Sequence, residues 1–372
     1  MTNGKRVLLL YITERSGHHS AALAIRKGME LRDPSVVISC VNAFSYAFPF
    51  TERVIHYIYL TVIQRFPKIW ENMYDNPNLV ARSQRIKHWI HRIAIRRLKK
   101  LVDSFKPDII VCTQAFPCGI VADYKRFYRS KIPLIGVLTD FAPHSFWVYD
   151  NVDYYIAPSD QSREMLVHKG VAREKIMTLG IPIDPKFIKR FDHRELLANY
   201  GLAPEIPVLM IMGGGHGLGP IKESLRLLDS SSLDVQFIVI CGLNIRLYHW
   251  INQARFRNRV LNFKFTDQVE RLMTISNLII TKPGGITTAE ALSKKLPMII
   301  LNPIPGQEAR NTEVLVKSGA AVKVDSTQDL LPAVEKTLKS FRTQPGISLS
   351  KPESSLDIAK FILELVGPPA SS

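Results

Sequence analysis

The chain has 372 residues and a formal net charge of +16 at pH 7, so it is long enough for two domains of ordinary size. Its 46% hydrophobic and 22% charged residues are typical of a globular protein and exclude wholesale disorder. The four cysteines form no Cys-x-x-Cys pair, no signal peptide is visible, and the longest apolar stretch holds only about ten residues. We therefore expect a reducing, cytoplasmic setting with no disulfide framework, zinc site or membrane span.

The positive charge is concentrated in the first half of the chain. Residues 1–190 carry 29 Lys and Arg against 16 Asp and Glu, whereas the remainder carries 20 against 17. Residues 81–100 contain eight Lys and Arg and no acid. This pattern predicts an anionic partner surface, either a membrane or a nucleic acid.

Short apolar strands alternate with helices along most of the chain. The first half predicts a helix over residues 20–31 and strands over 7–12, 36–41, 109–113, 134–138 and 154–157. The same rhythm restarts with strands over 208–212, 236–241, 261–263, 278–281 and 298–301. Short buried strands separated by helices indicate parallel sheets covered on both faces, and hence two α/β domains.

A Pro-rich connection over residues 181–186 predicts the domain boundary. We expect a first domain over 1–185, a second over 186–347, and a tail over 348–372 with one helix at 355–366.

Residues 44–105 interrupt the alternation. An aromatic cluster at 44–50 and an apolar stretch at 54–63 precede a helical stripe of apolar residues that starts at 86 and is flanked by Lys and Arg. A basic amphipathic helix beside an aromatic patch favours an interfacial membrane anchor. The alternative is a core helix with a solvated basic face.

The most informative motif is an apolar strand that runs into Lys282-Pro283-Gly284-Gly285 and then a helix opened by Thr287. Free backbone N–H groups and the positive end of a helix dipole at a sheet edge bind phosphate or diphosphate well. Glu290 can accept hydrogen bonds from ribose hydroxyls. Gln307 and Glu308, after a Pro-x-Pro-Gly turn, can hold the hydroxyls of a sugar. The alternative is an ordinary strand–turn–helix.

Further candidates follow other strands. His18 comes after the first strand and Asp140 after the strand at 134–138, at the sheet edge where open α/β folds bind ligands. A loop histidine and a helix-capping aspartate are the structural alternatives. The glycines at 213–217 match neither the dinucleotide nor the Walker pattern, which disfavours a dehydrogenase or a P-loop ATPase. No Asp-x-Asp or His-Glu-x-x-His occurs, so no metal is expected.

In these blocks the chain resembles the diacylglycerol glycosyltransferases, which include bacterial processive diacylglycerol glucosyltransferases and plant-type monogalactosyldiacylglycerol synthases. These are related to the peptidoglycan lipid-intermediate N-acetylglucosaminyltransferase. The resemblance runs over nearly the whole length. The matching blocks are residues 17–18, 138–147, 180–183, 212–217, 241–244, 280–285 and 305–308.

The resemblance implies an α/β fold of the GT-B type, with two Rossmann-like doubly wound domains facing across a cleft. It implies that the C-terminal half holds a UDP-hexose and that a lipid acceptor enters through the N-terminal half. His18 and Asp140 would flank the reacting centre as the candidate bases. The implied donor-binding residues are Gly17, Gly214, Gly215, Asn244, Lys282, Gly284, Gly285, Ile286, Thr287, Glu290, Gln307 and Glu308.

Two positions depart from the family pattern. The family usually has another glycine where Arg15 precedes Ser16-Gly17-His18, and it often has a basic residue where Leu243 stands. The shape of the first loop and one basic donor contact are therefore open, although Arg246 lies close to Leu243 in sequence.

The resemblance implies an inverting transferase that moves glucose or galactose from UDP-hexose to diacylglycerol and gives a β-glycoside, without a metal or other cofactor. We expect a peripheral protein on the cytoplasmic face of a membrane, held through residues 44–105. The alternatives are another lipid acceptor, such as a polyprenyl-linked peptidoglycan intermediate, or an inactive UDP-sugar-sensing membrane adaptor. Nucleic-acid binding is not expected, because no recognition motif accompanies the basic segment.

Overall fold

The computed structural model describes residues 4–47, 94–303, 306–340 and 349–367. The chain divides into two compact units. Unit 1 consists of Met1–Pro185, Pro305–Gln307 and Glu353–Ser372, and unit 2 of Lys186–Ile304 and Glu308–Pro352. Each unit contains one parallel sheet of six strands, so the predicted α/β class with two Rossmann-like domains is confirmed.

In unit 1 the strands lie in the order β2-β1-β3-β4-β5-β6, so the order reverses between β1 and β3. The strands are β1 Arg6–Tyr11, β2 Val37–Asn42, β3 Ile109–Cys112, β4 Leu134–Val137, β5 Tyr154–Ile156 and β6 Ile176–Met177. The helices are α1 Gly17–Arg32, α2 Ala43–Ala47, α3 over residues 94–105, α4 Ala115–Tyr128 and α5 Asp160–His168. The two-residue strand β6 was not predicted, because so short a segment has no periodicity.

Strand β1 shows why this sheet is buried on both faces. Successive side chains of a strand point to opposite sides. Leu8 and Leu10 pack with the helices on one face, and Val7 and Leu9 pack on the other. All four are at most 1% exposed, which is why the strand is a continuous apolar run in the sequence.

The C-terminal helix α13, Ser354–Leu365, packs against α1 in unit 1. Ile358 and Ile362 are fully buried, and each contributes roughly 1.5–3 kcal/mol by leaving water. Ser354 Oγ donates to the carbonyl of Ile181 at 2.7 Å, which ties the start of α13 to the unit.

Helix α3 is the described part of the segment predicted to contact a membrane. Its apolar residues Ala94, Leu98 and Val102 are buried in the core of unit 1, while Arg96 and Lys100 are exposed. Over these residues the apolar stripe is therefore used for packing, as in the alternative interpretation. The apolar stretch at 54–63, the end of the aromatic cluster at 48–50 and the part of the helical stripe before residue 94 lie outside the described residues.

In unit 2 the strands lie in the order β12-β11-β10-β7-β8-β9, and the order reverses between β7 and β10. The strands are β7 Val208–Met212, β8 Gln236–Ile240, β9 Val260–Phe263, β10 Leu278–Thr281, β11 Met298–Leu301 and β12 Ala321–Val324. The helices are α6 His193–Asn199, α7 Ile221–Ser230, α8 Ile245–Gln253, α9 Val269–Thr274, α10 Gly285–Ser293, α11 Gln307–Lys317 and α12 Leu330–Ser340. Strand β12 was not predicted, because its two central residues, Val322 and Lys323, are exposed at the sheet edge.

Within the described ranges, no helix is both long and apolar enough to cross a bilayer.

Candidate active site

His18 lies where the strand order of unit 1 reverses. It is in the first turn of α1, directly after the loop that follows β1, and it contacts the end of the neighbouring strand β3. Open α/β sheets bind ligands at such switch points, outside the carboxyl ends of the strands.

Hydrogen bonds hold the imidazole of His18 in one orientation. Its Nδ1 is 3.0 Å from the backbone carbonyl oxygen of Thr113 and 2.9 Å from the hydroxyl oxygen of Thr139. A carbonyl can only accept, so we assign the proton of the neutral ring to Nδ1, which leaves Nε2 as the basic nitrogen. Thr113 also donates its hydroxyl to the carbonyl of His18 at 2.8 Å.

Burial lowers the pKa of His18 from its ordinary value of 6.5, against the opposing influence of the Asp140 carboxylate and the Thr113 carbonyl. Burial disfavours the charged imidazolium, and a nearby negative charge favours it. The ring is therefore neutral near pH 7, and Asp140 is close enough to stabilise the cation if Nε2 accepts a proton.

The loop before α1 keeps a left-handed conformation where the family usually has glycine. Arg15 has a φ of 56° and Thr13 a φ of 61°, a region that costs a non-glycine residue roughly 1–2 kcal/mol. Ser16 stabilises the loop, because its hydroxyl donates to the carbonyl of Thr13 at 2.6 Å and its Oγ accepts from the N–H of His19 at 3.3 Å. Gly17, a candidate donor-binding residue, is the exposed first residue of α1.

The candidate residues that follow β7 and β10 lie at the switch point of unit 2. Strands β7 and β10 pair side by side, so Gly214 and Lys282 begin adjacent loops. A Cβ on Gly214 would lie 3.1 Å from Lys282 Cε. The glycine loop also packs closely on the loop after β8, because a Cβ on Gly242 would lie 2.3 Å from the carbonyl oxygen of Gly215. The backbones of the two loops approach so closely at Gly242 that no side chain fits between them.

The N-terminus of α10 presents amide groups that the helix itself leaves without acceptors. The N-cap Gly284 offers no side-chain hydrogen bond to the first turn, which contains Gly285, Ile286 and Thr287. Thr288 does not fill this role, because its hydroxyl donates back to the carbonyl of Gly284 at 2.9 Å. A Cβ on Gly284 would meet no atom within 4 Å. The space at the Cβ position of Gly284, the residue before these amides, is therefore open.

The carboxylate of Glu308 is oriented by Lys282. Lys282 Nζ lies 3.1 Å from Glu308 Oε1, and both side chains are largely covered. Gln307 is the first residue of α11 and Glu308 the second, so both lie in the turn where the helix dipole favours anionic or hydroxyl ligands. Glu290 lies in the second turn of α10.

Asn244 has a structural role as the N-cap of α8. Its side-chain oxygen accepts from the N–H of Leu247 at 3.0 Å, and its nitrogen donates to the carbonyl of Gly217 at 3.2 Å. It therefore joins the glycine loop to α8. Leu243, at the position where the family often has a basic residue, donates its backbone N–H to the carbonyl of Gly215 at 2.9 Å. The exposed Arg246 lies in the first turn of α8.

Three residues that position the candidate groups were not predicted from the sequence. Thr113 and Thr139 bind His18, and buried Asn311 donates its amide to the carbonyl of Pro283 at 3.1 Å. The signal for the two threonines was present, because both follow parallel strands whose ends meet at one edge. Asn311 had none, because it lies in the middle of a helix.

Among the residues that the structure describes, no group of three or more His, Cys, Asp or Glu could hold a metal ion.

Two family models match the chain. A model described as monogalactosyldiacylglycerol (MGDG) synthase matches residues 18–183, and the glycosyltransferase family 28 C-terminal domain matches residues 208–358. The chain is 31% identical to the processive diacylglycerol beta-glucosyltransferase of Bacillus subtilis (strain 168), covering 91% of this chain and 88% of that protein. The protein of the same name from Bacillus licheniformis is 30% identical, with the same coverage.

Solved structures share the fold at low identity. UDP-GlcNAc 2-epimerase from Neisseria meningitidis bound to UDP-GlcNAc has a TM-score of 0.62 at 15% identity, covering 96% of this chain and 100% of that chain. Acinetobacter baumannii MurG has a TM-score of 0.60 at 14% identity, covering 97% and 99%. This likeness identifies the fold as GT-B.

Proposed function

The chain belongs to the family of processive diacylglycerol beta-glucosyltransferases and monogalactosyldiacylglycerol synthases, and from that premise we propose that it transfers glucose or galactose from a UDP-hexose to diacylglycerol. The product is a β-glycosyldiacylglycerol, formed with inversion at the sugar. The observation that carries the proposal is the open N-terminus of α10 at the switch point of unit 2.

Unit 2 is proposed to bind the donor. The amides of Gly285, Ile286 and Thr287 and the dipole of α10 hold the diphosphate. Glu290 accepts from the ribose hydroxyls. Glu308, oriented by Lys282, and Gln307 accept from the hexose hydroxyls. As the bond from the anomeric carbon to the diphosphate oxygen breaks, UDP gains negative charge, and the same amides stabilise it.

Unit 1 is proposed to activate the acceptor. The free hydroxyl of diacylglycerol attacks the anomeric carbon and passes its proton to Nε2 of His18, a step in which a positioned base contributes about 100- to 10,000-fold. The Asp140 carboxylate stabilises the imidazolium that forms. Asp140 itself is the alternative base, with His18 then positioning the acceptor.

The lipid acceptor places the reaction at a bilayer surface. We propose that the protein is peripheral and acts on the cytoplasmic face. In this proposal the basic residues of the segment 44–105, of which α3 presents the exposed Arg96 and Lys100, contact anionic lipids.

The direct test supplies the purified protein with diacylglycerol in anionic liposomes and with radiolabelled UDP-glucose or UDP-galactose. Label in the lipid fraction from one donor is expected, and the number of sugars in the product reports processivity. Absence of label, with donor binding detected by calorimetry, would instead support another lipid acceptor or a donor-sensing role. Absence of both binding and label would contradict the proposal as a whole.

A further inference from the structure

The second unit carries a concentrated positive charge around α8. Residues 235–266 contain five Lys and Arg and no Asp or Glu, although the half of the chain after residue 190 is nearly balanced. Helix α7 adds Lys222 and Arg226 beside them. In the described part of unit 2 the ion pairs join other residues, such as Lys186 with Glu270 and Lys323 with Asp325. None of the ion pairs among the described residues therefore involves the Lys and Arg side chains around α8.

Helix α8 itself carries an aromatic residue on each side, and each of the two rings lies under at least one cation. The Lys222 ammonium and the Arg226 guanidinium are 4.6 and 4.9 Å from the ring centre of Trp250. On the other side, the Lys264 ammonium is 4.8 Å from the ring centre of Tyr248. Leu247 and Ile251 face the core, so the helical period places Tyr248 and Trp250 at the two borders of the outward surface.

Apolar side chains are exposed on the same surface. Ile245, on the outward side of α8, is 46% exposed, and Phe265, next to Lys264, is 57% exposed. The Phe256 ring lies 6.0 Å from that of Trp250. We call this surface the α8 face, defined as Lys222, Arg226, Ile245, Tyr248, Trp250, Arg255, Phe256, Lys264 and Phe265.

An open cavity of about 810 Å³ adjoins Trp250, between α7 and the chain that follows α8. Arg226 and Arg255 line it together with Glu223 and Asp229. The Asp229 carboxylate already accepts the backbone N–H groups of Arg257 and Asn258, at 3.0 and 2.9 Å. The two guanidinium groups are exposed and available to an outside anion.

We propose that the α8 face binds the surface of an anionic phospholipid bilayer. Cations attract the lipid phosphates, amphipathic Trp and Tyr rings suit the headgroup level, and exposed Ile245 and Phe265 enter the boundary of the acyl chains. Nucleic acid fits less well, because bases stack on free ring faces and the cations already cover Trp250 and Tyr248. The choice of a bilayer also rests on the proposed function, whose acceptor is a membrane lipid. This contact is separate from the segment 44–105.

The test is sedimentation of the full chain with vesicles of phosphatidylcholine, with and without phosphatidylglycerol. The variant Arg226→Gln/Arg255→Gln is expected to bind the anionic vesicles roughly 25-fold more weakly than the unchanged protein, because each cation at such a surface strengthens binding about fivefold. The variant Ile245→Ser/Phe265→Ser is expected to weaken binding to the same vesicles through loss of apolar burial. Both variants should retain the melting temperature of the unchanged chain, since the substituted side chains are exposed.

The matched control is Lys317→Gln/Lys323→Gln, which removes two exposed cations of unit 2 from α11 and β12, at the opposite end of the sheet order. It should bind anionic vesicles as the unchanged protein does. The proposal would be overturned if the control lost as much binding to anionic vesicles as the test variants, or if the test variants lost none. It would also be overturned if the test variants lost only their binding to a single-stranded oligonucleotide.

Transfer to diacylglycerol in detergent micelles separates this inference from the proposed function. The α8-face variants should turn over at the rate of the unchanged protein there, since no bilayer is present. A chain that binds anionic vesicles through this face but transfers no sugar in micelles would contradict the proposed function and leave the inference standing.

Discussion

Thr113 determines which nitrogen of His18 is basic. Its carbonyl can only accept, so Nδ1 carries the proton and Nε2 keeps its lone pair. The Thr113 hydroxyl bonds the backbone of the same histidine, so one residue fixes both the ring and the main chain. Two hydrogen bonds with a residue far along the chain therefore give the histidine at the start of α1 a defined orientation and leave Nε2 as its basic nitrogen.

Replacing His18 tests the proposed base. His18→Gln keeps a polar side chain of similar size, removes the basic nitrogen, and should reduce turnover at least about 100-fold. Single-turnover kinetics with labelled donor measures the loss. Thr113→Ser, which retains the hydroxyl and the carbonyl, is the control and should keep most of the activity. Near-normal turnover in His18→Gln would assign the base to Asp140.

The lowered pKa of His18 predicts the acid limb of the pH profile. The base accepts a proton only as neutral imidazole, which predominates above its pKa, and burial moves that pKa below 6.5. The midpoint of this acid limb should therefore lie below about pH 6.5. The dependence of kcat/KM on pH measures this limb, and a decline centred above 6.5 would contradict the assignment.

At the scale of elements, the packing of α13 on α1 depends on Gly28. A Cβ at Gly28 would lie 2.5 Å from the carbonyl oxygen of Ser355, closer than atoms can approach. The glycine lets the two helices meet, and the contact buries Ile25 and Met29 of α1 against Ile358 and Ile362 of α13. The last helix of the chain thus completes one side of the first sheet.

Gly28→Ala should destabilise unit 1. The added methyl forces α13 away from α1, and such overpacking costs roughly 1–3 kcal/mol. Denaturant unfolding monitored by circular dichroism measures the change in free energy. Arg26→Ala on the exposed side of α1 is the control and should change it by less than about 0.5 kcal/mol. If Gly28→Ala unfolded like the control, the close approach of the helices would be refuted.

At the scale of the whole molecule, each unit contributes a different group to the proposed reaction. His18 lies at the switch point of unit 1, and the α10 amides lie at that of unit 2. In this proposal the same strand–turn–helix geometry serves acid–base chemistry in one sheet and anion binding in the other. What differs is the second residue of the helix after the strand, which is His18 in α1 and Ile286 in α10.

Gly284→Ala tests this division. Its Cβ would enter open space at an ordinary backbone angle, so stability should be nearly unchanged. A methyl in front of the α10 amides should displace the diphosphate from a charged hydrogen bond, which weakens donor binding about tenfold or more. Calorimetry with UDP measures the loss, and His18→Gln should bind UDP normally. Unchanged UDP affinity in Gly284→Ala would place the diphosphate elsewhere.

The strands and the glycine turns were predictable because their signals are local. A four-residue apolar run such as 278–281 is too short for a buried helix, and Pro283-Gly284 after it favours a turn. Residues 278–281, 298–301 and 208–212 accordingly match the observed strands. The amphipathic stripe of α3 was ambiguous for the opposite reason. A helical period shows that one side is apolar but not what covers it, and for 94–105 the answer is the core of unit 1.

The sequence by itself determined the fold class and the family, and it predicted an anion site at the glycines and helix starts, since these signals depend on neighbours along the chain. Only the tertiary structure decided that Thr113 and Thr139 hold His18, that Lys282 pairs with Glu308, and that α13 packs on α1. It also decided that the cations of Lys222, Arg226 and Lys264 lie over the aromatic rings of α8. Each of these contacts joins residues far apart in sequence, and their distance is set by the order of the strands in the sheets.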